Sequence, residues 1–426
     1  MKIAIVGSGI SGLTAARQLS PEHSVTVFEA ADHVGGHVNT QSVELEGQRL
    51  DIDTGFIVFN DRTYPNFCRL IDELGVESQP TSMSFSVRCD SSGCEYNGTS
   101  INGLFAQRIN MFRPSFLRML RDILKFNQSG PKELERVPED ETVADYLARN
   151  RFSREFVLHY LLPMGAAIWS CPVSQFEQFP IHFILQFYQN HGLLSLTNRP
   201  QWKVIRGGSR SYVERMTEPF KDRIRLRCPV ISVSRDELQV NLTHRFGTEQ
   251  FDEIIFACHS DQALKILADA DCLERELLLN FPYSTSIATL HTDTSVLPRN
   301  RRAWASWNYH VPVGDQTRPT LTYNMNFLQG ISSKHTFCVT LNEEQQIDPG
   351  KIIKTFRYEH PVFTVNRAKV QQRHHELIRR NRTSFCGAYW RNGFHEDGLV
   401  SALRVCHRYS SVESLPLTLS SEVARC

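Results

Sequence analysis

No stretch of the 426-residue chain approaches the ~20 consecutive apolar residues that a membrane-spanning helix needs. The apolar start, Met1 to Val6, is broken at once by Gly7, Gly9 and Gly12, and no small-residue cleavage site follows it, so a secretory leader is not expected. An excess of one charge is also missing. The 47 Lys and Arg nearly balance the 46 Asp and Glu, which speaks against a nucleic-acid partner. The 11 cysteines are odd in number and scattered from Cys68 to Cys426, which argues against a disulfide framework. Cys89 and Cys94 find no second Cys or His pair to complete a zinc pattern, so no metal is expected. Reduced thiols and a cytoplasmic location are the expectation, with contact to the inner face of the membrane left open. No internal repeat or low-complexity linker divides the chain, and at ~100–200 residues per domain its length predicts two domains.

What is present begins at the N-terminus. Lys2 to Val6 reads as a short buried strand, and Gly7-Ser8-Gly9-Ile10-Ser11-Gly12 follows directly. A helical pattern runs through Leu13, Ala16, Arg17 and Leu19, then a second β-branched run spans Ser24 to Phe28 and ends at Glu29. Gly7 permits the tight turn, Gly9 lets a pyrophosphate approach the backbone, and Gly12 lets helix and strand pack closely. The helix N-terminus, with Ser11 in its first turn, offers N–H groups and a positive dipole end. Glu29 lies 22 residues after Gly7, close to the ~20 expected for a carboxylate that accepts from ribose hydroxyls, and it disfavours a 2′-phosphate. The order of strand, glycines, helix, strand and acid predicts a dinucleotide-binding unit.

From Glu29 the chain continues into Val34-Gly35-Gly36-His37-Val38-Asn39-Thr40. Here it resembles the flavin-dependent amine oxidase superfamily, which includes monoamine and polyamine oxidases, protoporphyrinogen oxidase and phytoene-type desaturases. The resemblance implies FAD, with Gly35 and Gly36 wrapping phosphates and ribityl chain. His37 stands where an Arg is usual, and it either touches phosphate or sits solvated in the turn. Asp51 to Asn60 resembles the segment beside the isoalloxazine ring, with Gly55 allowing close backbone approach. Val204 to Val213 resembles the chain's second entry into the FAD domain, and Val230 matches the position whose backbone contacts adenine. Phe251 to His259 resembles a strand ending beside the pyrophosphate. Cys386 to Leu403 resembles the final segment, with Gly387 at a strand end, Gly398 in a helix start and the Leu399 N–H facing flavin O2. Ala388 replaces the usual acid on the ribityl chain.

Leu162 to Ser170, Phe256 to Leu264 and Gly393 to Gly398 resemble one subgroup, bacterial FAD/NAD(P)-binding proteins related to the flavoprotein region of plant cyclopropane-fatty-acid synthases. The implied architecture is α/β: a Rossmann-like FAD domain from 1–80, 200–275 and 385–426, and an α+β substrate domain from two insertions, 81–199 and 276–384. Helical patterns over Val143 to Asn150 and Phe152 to Leu162 and alternation over Thr285 to Thr292 and Thr320 to Asn326 fit those insertions.

With one dinucleotide fingerprint and no second, the substrate itself is expected to reduce the flavin, by hydride transfer from a C–H bond to N5. Oxygen or another acceptor would reoxidise it. Tyr389, Trp390 and His395 are the catalytic candidates. The resemblance implies an apolar, acyl-lipid substrate for a desaturase or oxidase. An amine oxidase and an accessory flavoprotein partnering a lipid-modifying methyltransferase are the alternatives. Residues 112–126 read as a basic amphipathic helix, with Arg118, Arg121 and Lys125 at helical spacing, which either faces the core with a solvated basic side or docks on a membrane.

Overall fold

A computed structural model describes residues 1–195, 199–314, 318–364 and 366–409; the predicted FAD-domain segment 385–426 therefore lies outside the described residues beyond 409. The chain opens with strand β1 (Lys2–Val6), helix α1 (Ile10–Leu19) and strand β2 (Ser24–Phe28), the predicted unit. Helix α2 (Pro65–Glu73) and the hairpin β3 (Phe85–Cys89) and β4 (Cys94–Asn97) follow. Helices α3 (Pro114–Glu133), α4 (Leu162–Trp169) and α5 (Ile181–Asn190) make up much of the first insertion. The chain then returns through β5 (Ile224–Arg225), β6 (Val230–Arg235) and β7 (Glu253–Phe256). The second insertion adds β8 (Tyr283–His291), β9 (Trp307–Val311), β10 (Leu321–Asn324), β11 (Cys338–Leu341) and β12 (Ile352–Pro361). Strand β13 (Thr383–Phe385) and helix α6 (His395–Cys406) close the described chain.

Two sheets organise these elements. The first is a five-stranded sheet of order β5-β2-β1-β7-β13, parallel throughout. Its central strands carry continuous apolar runs, Ile3 to Val6 and Ile254 to Phe256, because a parallel sheet is covered on both faces. Ile5, Leu13, Ala16, Val27, Leu399 and Ala402 pack one face, so α1 and α6 lie side by side over the same strands. The second sheet has seven strands, β12-β8-β11-β10-β9-β3-β4, and is antiparallel apart from the parallel β9–β3 pair. An aromatic-rich cluster including Phe126, Tyr146, Phe156, Trp169 and Phe187 fills the space between the insertion helices and this sheet. This is the α/β architecture with a second α+β layer that the sequence predicts. Among the described residues, no helix is long and apolar enough to cross a membrane.

Candidate functional site

The glycine turn is built as its chemistry requires. Gly7 adopts φ +103°, a conformation L side chains rarely enter, and its N–H donates to Phe28 O. A Cβ on Gly12 would overlap the carbonyl oxygen of Gly7, so the third glycine is fixed by packing. Gly9 is different. A Cβ there would meet nothing within 4 Å, because the turn opens onto free space. Gly9 is also the N-cap of α1, and no side chain caps that helix. An uncapped helix end beside open space is a seat for an anion.

Glu29 stands at the end of β2. One carboxylate oxygen accepts from Ser8 N at 2.9 Å and Ser8 Oγ at 2.6 Å, and the other accepts from Ala31 N at 2.8 Å. Cys228 N donates to Glu29 O, so the strand carrying Val230 enters beside the acid. The Gly35–Gly36 loop folds back over the turn: Gly35 N donates to Ser8 O, and a Cβ on Gly36 would come within 3.0 Å of Gly9 Cα. Gly55 lies against His37, whose carbonyl accepts from Phe56 N at 2.8 Å. Ser11 Oγ donates to Gly398 O at 2.8 Å, joining the two helix starts. Gly7, Gly9, Ser11, Gly12, Glu29, Gly35, Gly36, His37, Gly55 and Gly398 thus share one cleft.

Three imidazoles meet at its rim. His37 lies 5.3 Å from the Tyr358 ring, stacked, with His360 at 5.2 Å and His259 at 6.4 Å. Nε2 of His37 and Nδ1 of His360 are buried without a hydrogen-bond partner, and His259 Nδ1 stands 3.6 Å from Glu359. Burial, and then the nearby His259, hold His37 down at about 4. Burial with His37 and His259 holds His360 at about 3. The sequence offered His37 and the end of the β7 segment. His360 comes from β12, more than three hundred residues from His37, and nothing local to it marks it as part of the site.

The α6 end is set by carboxylates. Asp397 accepts from Phe394 N at 2.9 Å in a capping arrangement, and Arg391 lies 3.5 Å from it. Glu396 accepts from Asn66 N, Asn66 Nδ2 and Phe67 N, so it caps α2 rather than facing the cleft. His395 stacks on Phe56 at 3.8 Å, and its Nε2 lies 2.6 Å from Tyr212 Oη. Burial, and then His37, hold His395 down at about 3, so the imidazole is neutral and shares a hydrogen bond with the Tyr212 hydroxyl.

Three candidates are placed differently from their predicted roles. Gly398 N–H donates to Phe394 O, and Leu399 follows one residue deeper in the same helical ladder, so Leu399's N–H does not reach a ligand at the helix end. Trp390, 1% exposed, stacks on His374 at 4.3 Å and packs against Phe281. Tyr389, 2% exposed, packs against the same Phe281, and a Cβ on Gly387 would overlap its ring. Neither aromatic ring presents surface to the cleft, so of the catalytic candidates only His395 lies beside the glycine loops.

Beyond the α6 end lies an aromatic wall. Phe394 stacks on Phe187 at 5.1 Å and lies 6.4 Å from Trp169. His191 stacks on Phe187 at 3.8 Å and on Trp202 at 6.1 Å. The buried Arg367 guanidinium lies 3.6 Å from the Phe183 ring centre and bonds Asn392. Asp53, missed as a site residue, is fully buried behind the Gly55–Phe56 loop. Its oxygens accept from Ser209 N at 2.9 and 3.1 Å and from Thr40 Oγ1 at 2.5 Å, and Asp53 N donates to Gln329. Burial pushes it up to about 6.

The cleft fits FAD on the protein's own terms: an uncapped helix end, open space at Gly9, buried imidazole nitrogens without partners and a carboxylate at the end of β2. The family model for flavin-containing amine oxidoreductases matches residues 10–320. Amine oxidase A of Sus scrofa is 26% identical over 242 residues, covering 55% of this chain and 44% of its own. A 4,4′-diapophytoene desaturase of Staphylococcus aureus is 36% identical over 62 residues, covering 14% and 12%. The solved structure of a CLA-producing fatty acid isomerase from P. acnes superposes with a TM-score of 0.68 at 15% identity, covering 96% of this chain and 98% of its own. The chain spans about half the length of the curated relatives it matches over its greater part.

Proposed function

The chain belongs to the flavin-containing amine oxidoreductase family, whose members are FAD-dependent oxidoreductases, and on that premise we propose that it oxidises a C–H bond of an apolar, acyl-type substrate. Bound FAD supplies the hydride acceptor at N5. The protein's part is to hold the cofactor, exclude water and orient the C–H bond. Gly9, the α1 N-terminus and the His37 rim would take the pyrophosphate, Glu29 the ribose, and the Gly55–Phe56 loop with the α6 start the ring end.

The observation that carries the substrate class is the part-buried Phe394 and Trp202, backed by the buried Trp169, Phe187 and His191, with Arg367 behind them. Aromatic surface suits an acyl chain, and the Arg367 guanidinium behind it is held by Asn392 and Gln371 and faces Asp397. Glu396 is engaged by Asn66 and Phe67, and Asp397 by Phe394 N and Arg391, which leaves neither poised for an amine cation. That the same fold carries a fatty acid isomerase is consistent with the reading. The likeness to amine oxidase A favours an amine substrate as the second reading.

The test is anaerobic titration of the purified holoprotein with a long-chain fatty acid, a phospholipid, then polyamines, following flavin absorbance. Bleaching by an acyl compound is the expected result. Bleaching by amines alone would overturn it in favour of an amine oxidase. A flavin that no compound bleaches would favour the accessory role beside a lipid-modifying enzyme.

A further inference from the structure

The face formed by residues 101–132 carries two properties that soluble surfaces rarely combine. Sixteen large apolar side chains are exposed among the described residues, and six of them lie between Ile101 and Leu124. Ile101 is 79% exposed and Phe112 76%. The same stretch holds six cationic side chains, Arg108, Arg113, Arg118, Arg121, Lys125 and Lys132, against one acid, Asp122, in a chain whose net charge is only +1.

Helix α3 explains how both are presented. It buries Phe116, Met119, Asp122 and Phe126, so its core contact is already satisfied. Leu117 and Leu124 point the other way, along the face that carries Arg121 and Lys125. A shallow groove of about 400 Å³ runs there, lined by Arg121, Leu124, Lys125, Gln128, Ser129 and Lys132. Just before the helix, the 3₁₀ turn Arg108–Phe112 places Ile109 and Phe112 outward. A core-facing helix with a solvated basic side accounts for the cations but not for the outward leucines and phenylalanine.

We propose that this face docks on an anionic phospholipid bilayer, with Ile109, Phe112, Leu117 and Leu124 entering the headgroup boundary and Arg118, Arg121, Lys125 and Lys132 reaching the lipid phosphates. The long cationic side chains lay their stems beside the apolar ones while their charges stay at the polar level. Competing acids are few. Asp122 is buried, accepts from Ser153 N and lies 3.5 Å from Arg121, and Glu155 lies 4.0 Å from Arg118, contacts a lipid phosphate can displace. The positive excess is matched by the negative surface of an anionic leaflet, which is why a bilayer rather than another protein is the occupant.

The test reads docking alone, without turnover, so it stands apart from the substrate reading. The holoprotein is co-sedimented with vesicles of phosphatidylcholine and with vesicles containing about 30% phosphatidylglycerol. Binding to the anionic vesicles only is expected, weakening as salt is raised. Replacing Arg118, Arg121 and Lys125 by Gln should weaken it roughly fivefold per charge, about a hundredfold together. Phe112→Ser should weaken it as well, while Leu238→Ser with Phe246→Ser, exposed residues elsewhere, should leave it unchanged. Each variant is checked for retained flavin, and if the triple variant misfolds, Phe112→Ser decides. Equal binding to both vesicle types, no binding to either, or full binding by the Phe112 variant would overturn the proposal.

Discussion

The Tyr212 hydroxyl and Nε2 of His395 share a hydrogen bond of 2.6 Å, across 183 residues of sequence, which fixes the imidazole at the first position of α6. Burial raises Tyr212 and lowers His395, so neither proton moves between them at neutral pH. Tyr212→Phe should strand the buried His395 Nε2 without its partner, at a cost of about 1–3 kcal/mol. A denaturant melt checks the stability, and the flavin spectrum of the variant checks whether the ring environment shifts. Because His395 stays neutral above about pH 4, no limb of the pH–rate profile between 5 and 8 should vanish in His395→Gln. A lost limb in that range would give His395 a proton-transfer role instead.

The three glycines of the first turn should separate cofactor binding from folding. Valine at Gly9 enters open space and meets no protein atom, so Gly9→Val should fold and purify colourless. Alanine at Gly12 overlaps the Gly7 carbonyl and should cost about 3 kcal/mol or more, whatever the cofactor. Glu29→Ala acts on both, because the carboxylate also holds Ser8 and Ala31. Bound flavin per chain, measured beside thermal melts, distinguishes the cases. A fully yellow Gly9→Val protein would remove the pyrophosphate from this turn.

What the sequence made legible and what it hid follow one physical division. The turn at Gly7 to Gly12, the acid at Glu29 and the β1-α1-β2 unit are set by spacings within about thirty residues, so pattern alone finds them. The start of α6 was equally readable from its acids. His360 and Arg367 join the site only through contacts made by distant strands and loops, and a local pattern carries no trace of them; Asp53 and Tyr212 lie in segments the sequence singled out, but their partners come from far along the chain. Tyr389 and Trp390 misled for the opposite reason. They sit next to the right glycine in sequence, but an aromatic pair in a loop reads the same whether it lines a cleft or plugs a core, and here Phe281 and His374 claim both rings. The Leu399 expectation failed by helical register, since the residues that end a helix cannot be fixed by its sequence to better than a residue or two.

The imidazole rim should couple FAD binding to protons. His37, His259 and His360 face one another, with Glu359, Asp261, Tyr358 and Tyr283 around them. In the free protein burial keeps them neutral near pH 7. A pyrophosphate brought against them favours their charged forms and raises their proton affinity. Binding should therefore take up protons, and affinity should fall as pH rises from 5 to 8. Calorimetry in two buffers of different ionisation heat measures the uptake directly. His37→Gln should reduce it, and identical apparent heats in both buffers would show that the rim does not contact the phosphates.

Asp53 makes a pH-dependent contribution to stability whose sign follows from its burial. Folding raises it from 3.8 to about 6, so the folded state holds its proton more tightly than the unfolded chain does. Its contribution therefore favours folding below pH 3.8 and is lost as pH rises through 6, by on the order of 3 kcal/mol. The hydrogen bonds from Ser209 and Thr40 offset part of the charged form's burial, which is why the residue is tolerated at all. Asp53→Asn keeps an acceptor for Ser209 and removes the titration. Unfolding free energies from urea melts at pH 4.5 and 7 should thus differ less in the variant than in the parent. Asp53→Ala, which strands Ser209 and Thr40 together, should be less stable than either at both pH values. If the parent and the Asn variant lose stability in parallel between those pH values, Asp53 is ionised throughout, and the donors around it outweigh its burial.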